Sequence, residues 1–388
     1  MRRMAGLWAA LLLVLALTPV QAGAVELPIR AEAALLMEKE TGQVLYAQNE
    51  HEALEPASVT KVMTLLLTME AIEKGSLHYD DVVTVSAYAA SMGGSHVYLS
   101  EGEQITVDDL LKAVCVASGN DAAVALAECV AGVTELFVEQ MNTRAKELGM
   151  TDTHFVNCTG LPAEGHVTSA YDIALMSREL MLHHPDIRNY TTIWMDSLRD
   201  GASSLVNTNR LIRFYQGATG LKTGSTDSAL YCLSGTAERD GMELIAVIMK
   251  APTSTQRFED ATNLLNYGFS TYTLENVVPE SALPPVPVSL GTQATVQPVL
   301  GENTHLLLER PRRAACSSWS PWRTLWRRRW RRAVNWGPSP SPPGKRSWRS
   351  CPSWQERRSH GSPSARCWSR CCGRPSSAAD GGGGRCTP

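Results

Sequence analysis

Three short stretches of this chain carry residue types that together can run an acyl transfer. The first is Ser58-Val59-Thr60-Lys61, at the start of a helical pattern. Positions three apart share a helix face, so Lys61 would lie beside the Ser58 hydroxyl. A serine at a helix N-terminus also has free backbone N–H groups and the positive end of the helix dipole nearby, which suits a nucleophile whose product carries an oxyanion. Taken alone, the same four residues also describe an N-cap serine followed by a surface lysine. The second stretch, Ser118-Gly119-Asn120, sets a hydroxyl and a carboxamide two positions apart. They can point into one cleft, or form a helix–helix turn with Asn120 as its cap. The third is Lys222-Thr223-Gly224-Ser225-Thr226, on a strand-like run. A cation and hydroxyls there could hold a carboxylate, with Gly224 leaving room for a substrate backbone, or they form a polar strand end. Each motif is modest; the order S-x-x-K, S-x-N, K-T-G is specific.

The elements that must position these residues are readable in outline. Residues 33–48 form two strand-like runs around Glu40-Thr41-Gly42, a hairpin signal. A helix is predicted from about Ser58 to Glu73, closed by Gly75, with further helices at about Val107–Val116, Asp121–Ala131, Thr134–Leu148 and Ser169–His183. Strand-like stretches follow at Gly220–Gly224, Leu230–Ala237 and Glu243–Lys250, then a last helix at about Thr255–Tyr267. Strands at both ends with helices between them point to a sheet closed by its own termini, an α+β or α/β sandwich. The Pro-rich run Leu283–Pro287 reads as a linker, and Val286–Leu308 alternates weakly, like the opening strands of a small β domain.

The ends differ from the middle. Met1-Arg2-Arg3, the apolar run Leu7–Leu17 and the small residues Ala22-Gly23-Ala24 read as a secretory signal peptide, with a mature start near Gly23 or Val25. Only this run approaches membrane length, which excludes a multi-span membrane protein. Residues 310–388 hold 18 of the 36 Lys and Arg, 8 of the 10 Trp and 6 of the 10 Cys, with only Glu356 and Asp380 as acids. The rest of the chain carries the opposite, acidic balance. Such a segment can be a cationic membrane helix or a nucleic-acid arm. A third reading fits the composition better. Six of the eight Trp precede Arg or Ser, and a one-base shift would turn such pairs into Leu, Val or Met followed by Glu. That favours an out-of-frame C-terminus. The four remaining cysteines, Cys115, Cys129, Cys158 and Cys232, show no metal-like spacing and read as mostly buried small apolar residues.

With its flanks, the motif set resembles the low-molecular-mass penicillin-binding proteins, the serine D-alanyl-D-alanine carboxypeptidases. The resemblance runs through Glu55–Thr64, Val116–Ala123, Glu147–Met150, Thr153–Asn157, Gly160-Leu161-Pro162, His166 and Gly220–Thr226, and covers about residues 30–309. It implies the transpeptidase fold shared with serine β-lactamases, an antiparallel sheet flanked by helices, followed by the start of a small β domain. The expected organisation is a signal peptide at 1–24, a catalytic domain at 25–275, a linker and incomplete β domain at 276–309, and an out-of-frame or disordered tail at 310–388. The implied substrate is a peptidoglycan stem peptide ending in D-Ala-D-Ala, with β-lactams as inhibitors. Ser58 would attack, a neutral Lys61 would take its proton, Ser118 would relay a proton to the leaving D-Ala, and Asn120 would hold the substrate amide and Lys61. The oxyanion would sit between the backbone N–H groups of Ser58 and Ser225. Lys222, Thr223 and Arg257 would bind the terminal carboxylate, although an arginine on a helix is more often a surface residue. No metal, nucleotide or nucleic acid is expected. The protein would work outside the cytoplasmic membrane. The family's C-terminal membrane-anchoring helix is not recognisable, which leaves membrane attachment open.

Three rivals share parts of this pattern. A peptidoglycan endopeptidase uses the same motifs. A β-lactamase needs a deacylating Glu, and the loop Gly160–Ser169 has Glu164 but no E-x-x-L-N. A non-catalytic sensor would not need all three motifs intact. His166 lies in the same loop, as a candidate deacylating base or a structural histidine.

Overall fold

The structure, a computed structural model, describes residues 27–277, 284–287, 295–298 and 304–310. The expected export signal, parts of the expected linker and incomplete β domain (278–283, 288–294 and 299–303), and the basic tail beyond Arg310 lie outside the described residues. Among the described residues, no helix is long and apolar enough to cross a membrane.

A five-stranded antiparallel sheet organises the chain. Its strands are β1 (Ala33–Glu38), β2 (Val44–Gln48), β3 (Ala218–Thr226), β4 (Leu230–Arg239) and β5 (Met242–Ala251), in the spatial order β2-β1-β5-β4-β3. The chain's first strands therefore pair with its last ones, as the sequence pattern implies: Leu35 sits opposite Val247, and Lys222 opposite Ser234. β1 is buried along its whole length. Its side chains alternate between two cores, Ala33, Leu35 and Met37 on one face, Ala34 and Leu36 on the other. β5 does the same with Ile245, Val247 and Met249 against Leu244, Ala246 and Ile248. Each such fully buried Leu or Ile contributes about 1.5–3 kcal/mol. Glu38, the one acid in β1, is buried because its carboxylate accepts from the Glu40 and Thr41 N–H groups and the Thr41 hydroxyl, which shapes the β1–β2 turn.

Helix α1 (Lys61–Glu73) is buried on every side from Lys61 to Ala71, so it is the hub of the larger core rather than an amphipathic surface helix. It starts later than the sequence suggests. Ala57–Thr60 is a separate 3-10 turn, and neither helical segment is capped by a side chain. α2 (Val107–Lys112), α3 (Asn120–Ala131), α4 (Thr134–Leu148) and α5 (Ala170–His183) complete that layer. The predicted helix Val107–Val116 changes pitch at Ala113, where Ala113–Ala117 is a π turn leading into Ser118. α6 (Ser254–Thr271) covers the opposite sheet face. Gly268 lets it come close, since a Cβ there would lie 2.5 Å from Leu244 and 2.9 Å from Leu36. Beyond α6, β6 (Tyr272–Asn276) pairs antiparallel with β7 (His305–Glu309), and Val286–Pro287 pairs with Thr295–Val296. The strand pairing of this region thus begins at Tyr272, before the Pro-rich run.

Candidate active site

The S-x-x-K residues come together through the 3-10 turn. Its three-residue repeat stacks positions i and i+3 more directly than an α-helix does, and Lys61 Nζ lies 2.9 Å from Ser58 Oγ. Lys61 is fully buried, which excludes the surface-lysine reading. Two other oxygens surround its amine: Asn120 Oδ1 at 2.6 Å and the Thr159 carbonyl at 2.8 Å. Both accept only, because Asn120 Nδ2 is committed as donor to the Gly93 carbonyl (2.6 Å). A neutral amine has two N–H bonds and one lone pair. With both N–H groups spent on Asn120 and Thr159, the lone pair faces the Ser58 hydroxyl. That is the arrangement of a base and its proton donor. Burial, and next the Lys222 charge, hold the Lys61 amine well below its ordinary pKa.

Ser118 and Asn120 reach this corner from the loop between the π turn and α3. Ser118 adopts left-handed backbone angles (φ 62°, ψ 31°), which are strained for a residue with a Cβ. Its buried hydroxyl has no hydrogen-bond partner. The backbone of residues 93–99 holds the other side of the loop. Asn120 N donates to the Ser95 carbonyl (2.7 Å), and the Asp121 carboxylate accepts from the N–H groups of Val97, Leu99 and Ala122. The helix–helix turn capped by Asn120 is thus a site in which Asn120 points at Lys61 rather than at its own backbone.

Lys222-Thr223-Gly224 lies on β3, the edge strand of the sheet, so one side of its backbone is free of a neighbouring strand. Lys222 is buried and donates to the Thr223 carbonyl (2.9 Å). Burial, helped by the Arg257 charge, brings its pKa down to about 7. Thr223 Oγ1 donates to Thr208 Oγ1 (2.7 Å), and Ser225 is exposed. The atoms that a Cβ on Gly224 would meet are Pro56 O at 2.8 Å, Ser58 N at 2.9 Å and Val59 N at 3.0 Å. The missing side chain makes room for the turn that carries Ser58. Arg257 is also buried rather than on the surface. From α6 it donates to the carbonyls of Gly224 (3.0 Å) and Cys232 (3.2 Å), with its guanidinium over the Tyr231 and Phe258 rings. It braces β3 from the helix that covers the sheet.

The sequence of this chain matches a profile described as D-alanyl-D-alanine carboxypeptidase over residues 20–253, well over half its length. The chain belongs to the D-alanyl-D-alanine carboxypeptidase family. It is 49% identical over 250 residues to a D-alanyl-D-alanine carboxypeptidase, DacF, of Bacillus subtilis, covering 64% of each chain. The chain thus spans a little under two thirds of that relative's length. Among solved structures it is similar to penicillin binding protein 5 from Haemophilus influenzae, with a TM-score of 0.69 and 29% identity over 75% of this chain and 86% of that one. It is also similar to Penicillin-Binding Protein D2 from Listeria monocytogenes in the ampicillin bound form, with a TM-score of 0.58 and 35% identity over 63% of this chain and 99% of that one. The antiparallel sheet flanked by helices is the fold of this family.

Several residues that shape the surroundings of Ser58 and Lys61 are not visible as chemistry in the sequence. Thr159 acts through its carbonyl. Asn157 shapes that segment: its side-chain oxygen accepts from Thr159 N, Thr159 Oγ1 and Gly160 N, and its amide donates to Leu161 O. Gly160 (φ +81°) packs against the nucleophile turn, where a Cβ would fall 1.8 Å from the Ala57 oxygen. For Asn157 and Gly160 the only sequence signal is their place in the resemblance; Thr159 lies between the stretches that carry it. His166 is buried, and both ring nitrogens are engaged, with Thr60 Oγ1 and the Val156 N–H, which fits the structural reading. Of the cysteines, Cys115, Cys158 and Cys232 are buried free thiols as expected, whereas Cys129 is exposed. Burial pushes the Cys115 thiol, near Lys222, up to about 12.

Proposed function

We propose that this chain is a serine-type D-alanyl-D-alanine carboxypeptidase that removes the terminal D-Ala from peptidoglycan stem peptides through an acyl-enzyme. The observation that carries the reading is the buried Lys61 amine, which lies 2.9 Å from Ser58 Oγ and is held between Asn120 Oδ1 and the Thr159 carbonyl, where its neutral form can take the hydroxyl proton. Ser58 Oγ attacks the carbonyl of the penultimate D-Ala while Lys61 Nζ takes its proton. The oxyanion forms against the backbone N–H groups of Ser58 and Ser225. One such donor is worth about 3–4 kcal/mol in the transition state. The Ser118 hydroxyl gives its proton to the nitrogen of the leaving D-Ala and regains one from protonated Lys61, the C–N bond breaks, and Lys61 is neutral again. Asn120 binds the substrate amide as well as Lys61. Lys222 and Thr223 receive the terminal carboxylate beside the free edge of β3, and Arg257 supports them through β3. Water then cleaves the ester and restores the Ser58 hydroxyl. β-Lactams, which acylate the same serine, are inhibitors. Glu164 is exposed and His166 is spent on structural bonds, so neither is placed as a fast deacylating base, which separates this reading from a β-lactamase. The work takes place outside the cytoplasmic membrane, at the cell wall, after export directed by the N-terminal segment.

The test is intact mass after incubation with a penicillin, together with D-Ala release from a peptide ending in D-Ala-D-Ala. A one-to-one adduct that is lost in Ser58→Ala and decays slowly, with D-Ala released from the peptide, is the expected result. No adduct on folded protein overturns the catalytic reading; rapid decay with no D-Ala release transfers it to a β-lactamase.

A further inference from the structure

His166 is buried beside the nucleophile turn and takes no part in the chemistry above. Its bonds define its state. Nδ1 accepts from the Val156 N–H (3.0 Å), so Nδ1 is unprotonated and the ring hydrogen is on Nε2. Nε2 therefore donates to Thr60 Oγ1 (2.8 Å). The Thr60 hydroxyl in turn donates to the Ala57 carbonyl (2.9 Å). Ala57 has a left-handed backbone (φ 48°), strained for alanine and held only by its surroundings. The Ala57 carbonyl and the Ser58 N–H belong to one planar trans peptide unit, in which the two groups point in opposite directions. Whatever fixes the Ala57 oxygen also fixes the direction of the Ser58 N–H.

We propose that His166 is a positioning residue for the oxyanion donor: through Thr60 and the Ala57 carbonyl it aims the Ser58 N–H at the developing oxyanion. The proposal rests on the carboxypeptidase reading, which makes Ser58 N–H such a donor. A donated hydrogen bond at its oxygen makes the Thr60 hydroxyl a better donor to Ala57, so the relay is stronger than its links taken singly. A neutral imidazole is needed, since an imidazolium has no lone pair for Val156. Burial supplies it, bringing His166 down to about 4.

Oxyanion donors act in the transition state more than in the initial complex, and this gives the test a signature. Acylation by a penicillin is resolved into the dissociation constant of the initial complex and the acylation rate constant. Phenylboronic acid, which forms a tetrahedral adduct on the serine, reports the oxyanion position separately. In His166→Ala the acylation rate constant should fall by about tenfold or more, with phenylboronic acid binding weakened by a similar factor and the initial complex unchanged. His166→Gln, which keeps an N–H for Thr60, should recover most of the rate. His166→Asn, which can accept from Val156 but is too short for Thr60, should not; this pair carries the test if His166→Ala does not fold. In a Thr60→Val background, His166→Ala should add nothing. A wild-type rate in His166→Ala, equal behaviour of the Gln and Asn variants, or an undiminished effect in the Thr60→Val background overturns the proposal alone. A wild-type chain that forms no adduct overturns the carboxypeptidase reading, and the proposal with it.

Discussion

Gly160→Ala meets the nucleophile turn directly. Its Cβ would lie 1.8 Å from the Ala57 oxygen, 2.3 Å from the Ala57 carbonyl carbon and 2.9 Å from Ser58 N. Real Cβ contacts stay above 3.0 Å, so the turn or the loop must retreat by about 1.2 Å. Both partners are backbone, and neither can swing aside as a flexible side chain would. The loop also carries the Thr159 carbonyl that holds Lys61, so a retreat on either side separates Ser58 from its base. Displacements near 1 Å at a reacting group cost on the order of a hundredfold in rate. Gly165→Ala is the control. It sits in the same loop with a similar backbone (φ +77°), yet the nearest atom to its Cβ, His154 Nδ1, is 3.8 Å away. It should lose only the left-handed backbone term, about 1–2 kcal/mol of stability. The assay is acylation by a fluorescent penicillin on protein whose folding is checked by circular dichroism. Gly160→Ala should acylate about a hundredfold more slowly than Gly165→Ala. Equal acylation rates in two folded variants would show that the Gly160 contact does not set the position of Ser58.

Two further outcomes follow from strain and burial. Ser118→Gly relieves a left-handed backbone and removes a hydroxyl with no partner, so it should raise stability by about 1 kcal/mol in thermal unfolding while reducing D-Ala release. A stability loss would mean that the hydroxyl is bonded in the folded protein. The pH dependence of stability should carry the mark of His166. Its folded pKa of about 4 lies below the ordinary 6.5, so the unfolded chain binds the extra proton first and stability falls as pH drops from 6.5 towards 4. The full shift corresponds to about 3 kcal/mol. Urea unfolding of wild type and His166→Gln across that range should show a steeper loss in the wild type, and parallel curves would refute it.

The parts of the fold that announce themselves in the sequence do so through local chemistry. α4 begins and ends where the sequence places it, because Gly149 supplies the left-handed stop at φ 77°. The three motifs meet because each sits at an element end or on an edge strand. The hairpin Met195–Leu198 with Ser203–Val206 escapes notice because its strands lack apolar alternation, and its turn uses left-handed Arg199 and Asp200 before Gly201. Arg199 is held there by Glu103 and the carbonyls of Val97 and Tyr98, contacts about a hundred residues away in sequence. Thr159 is illegible for another reason: a backbone carbonyl has no side-chain signature. Gly224 is legible only in part: glycine on an edge strand tells that something comes close, and the sequence does not show that Pro56–Val59 is one such neighbour.

The three oxygens around Lys61 Nζ have a consequence for the energetics of turnover. An ammonium needs three acceptors, and Ser58 Oγ, Asn120 Oδ1 and the Thr159 carbonyl supply three. A neutral amine in the same place needs two acceptors and a donor, which the Ser58 hydroxyl becomes by turning its own hydrogen. Lysine can therefore gain and return the proton with no heavy atom changing place. The reorganisation that water would demand at each transfer was completed when the chain folded, and the free energy for it was drawn from the core around α1.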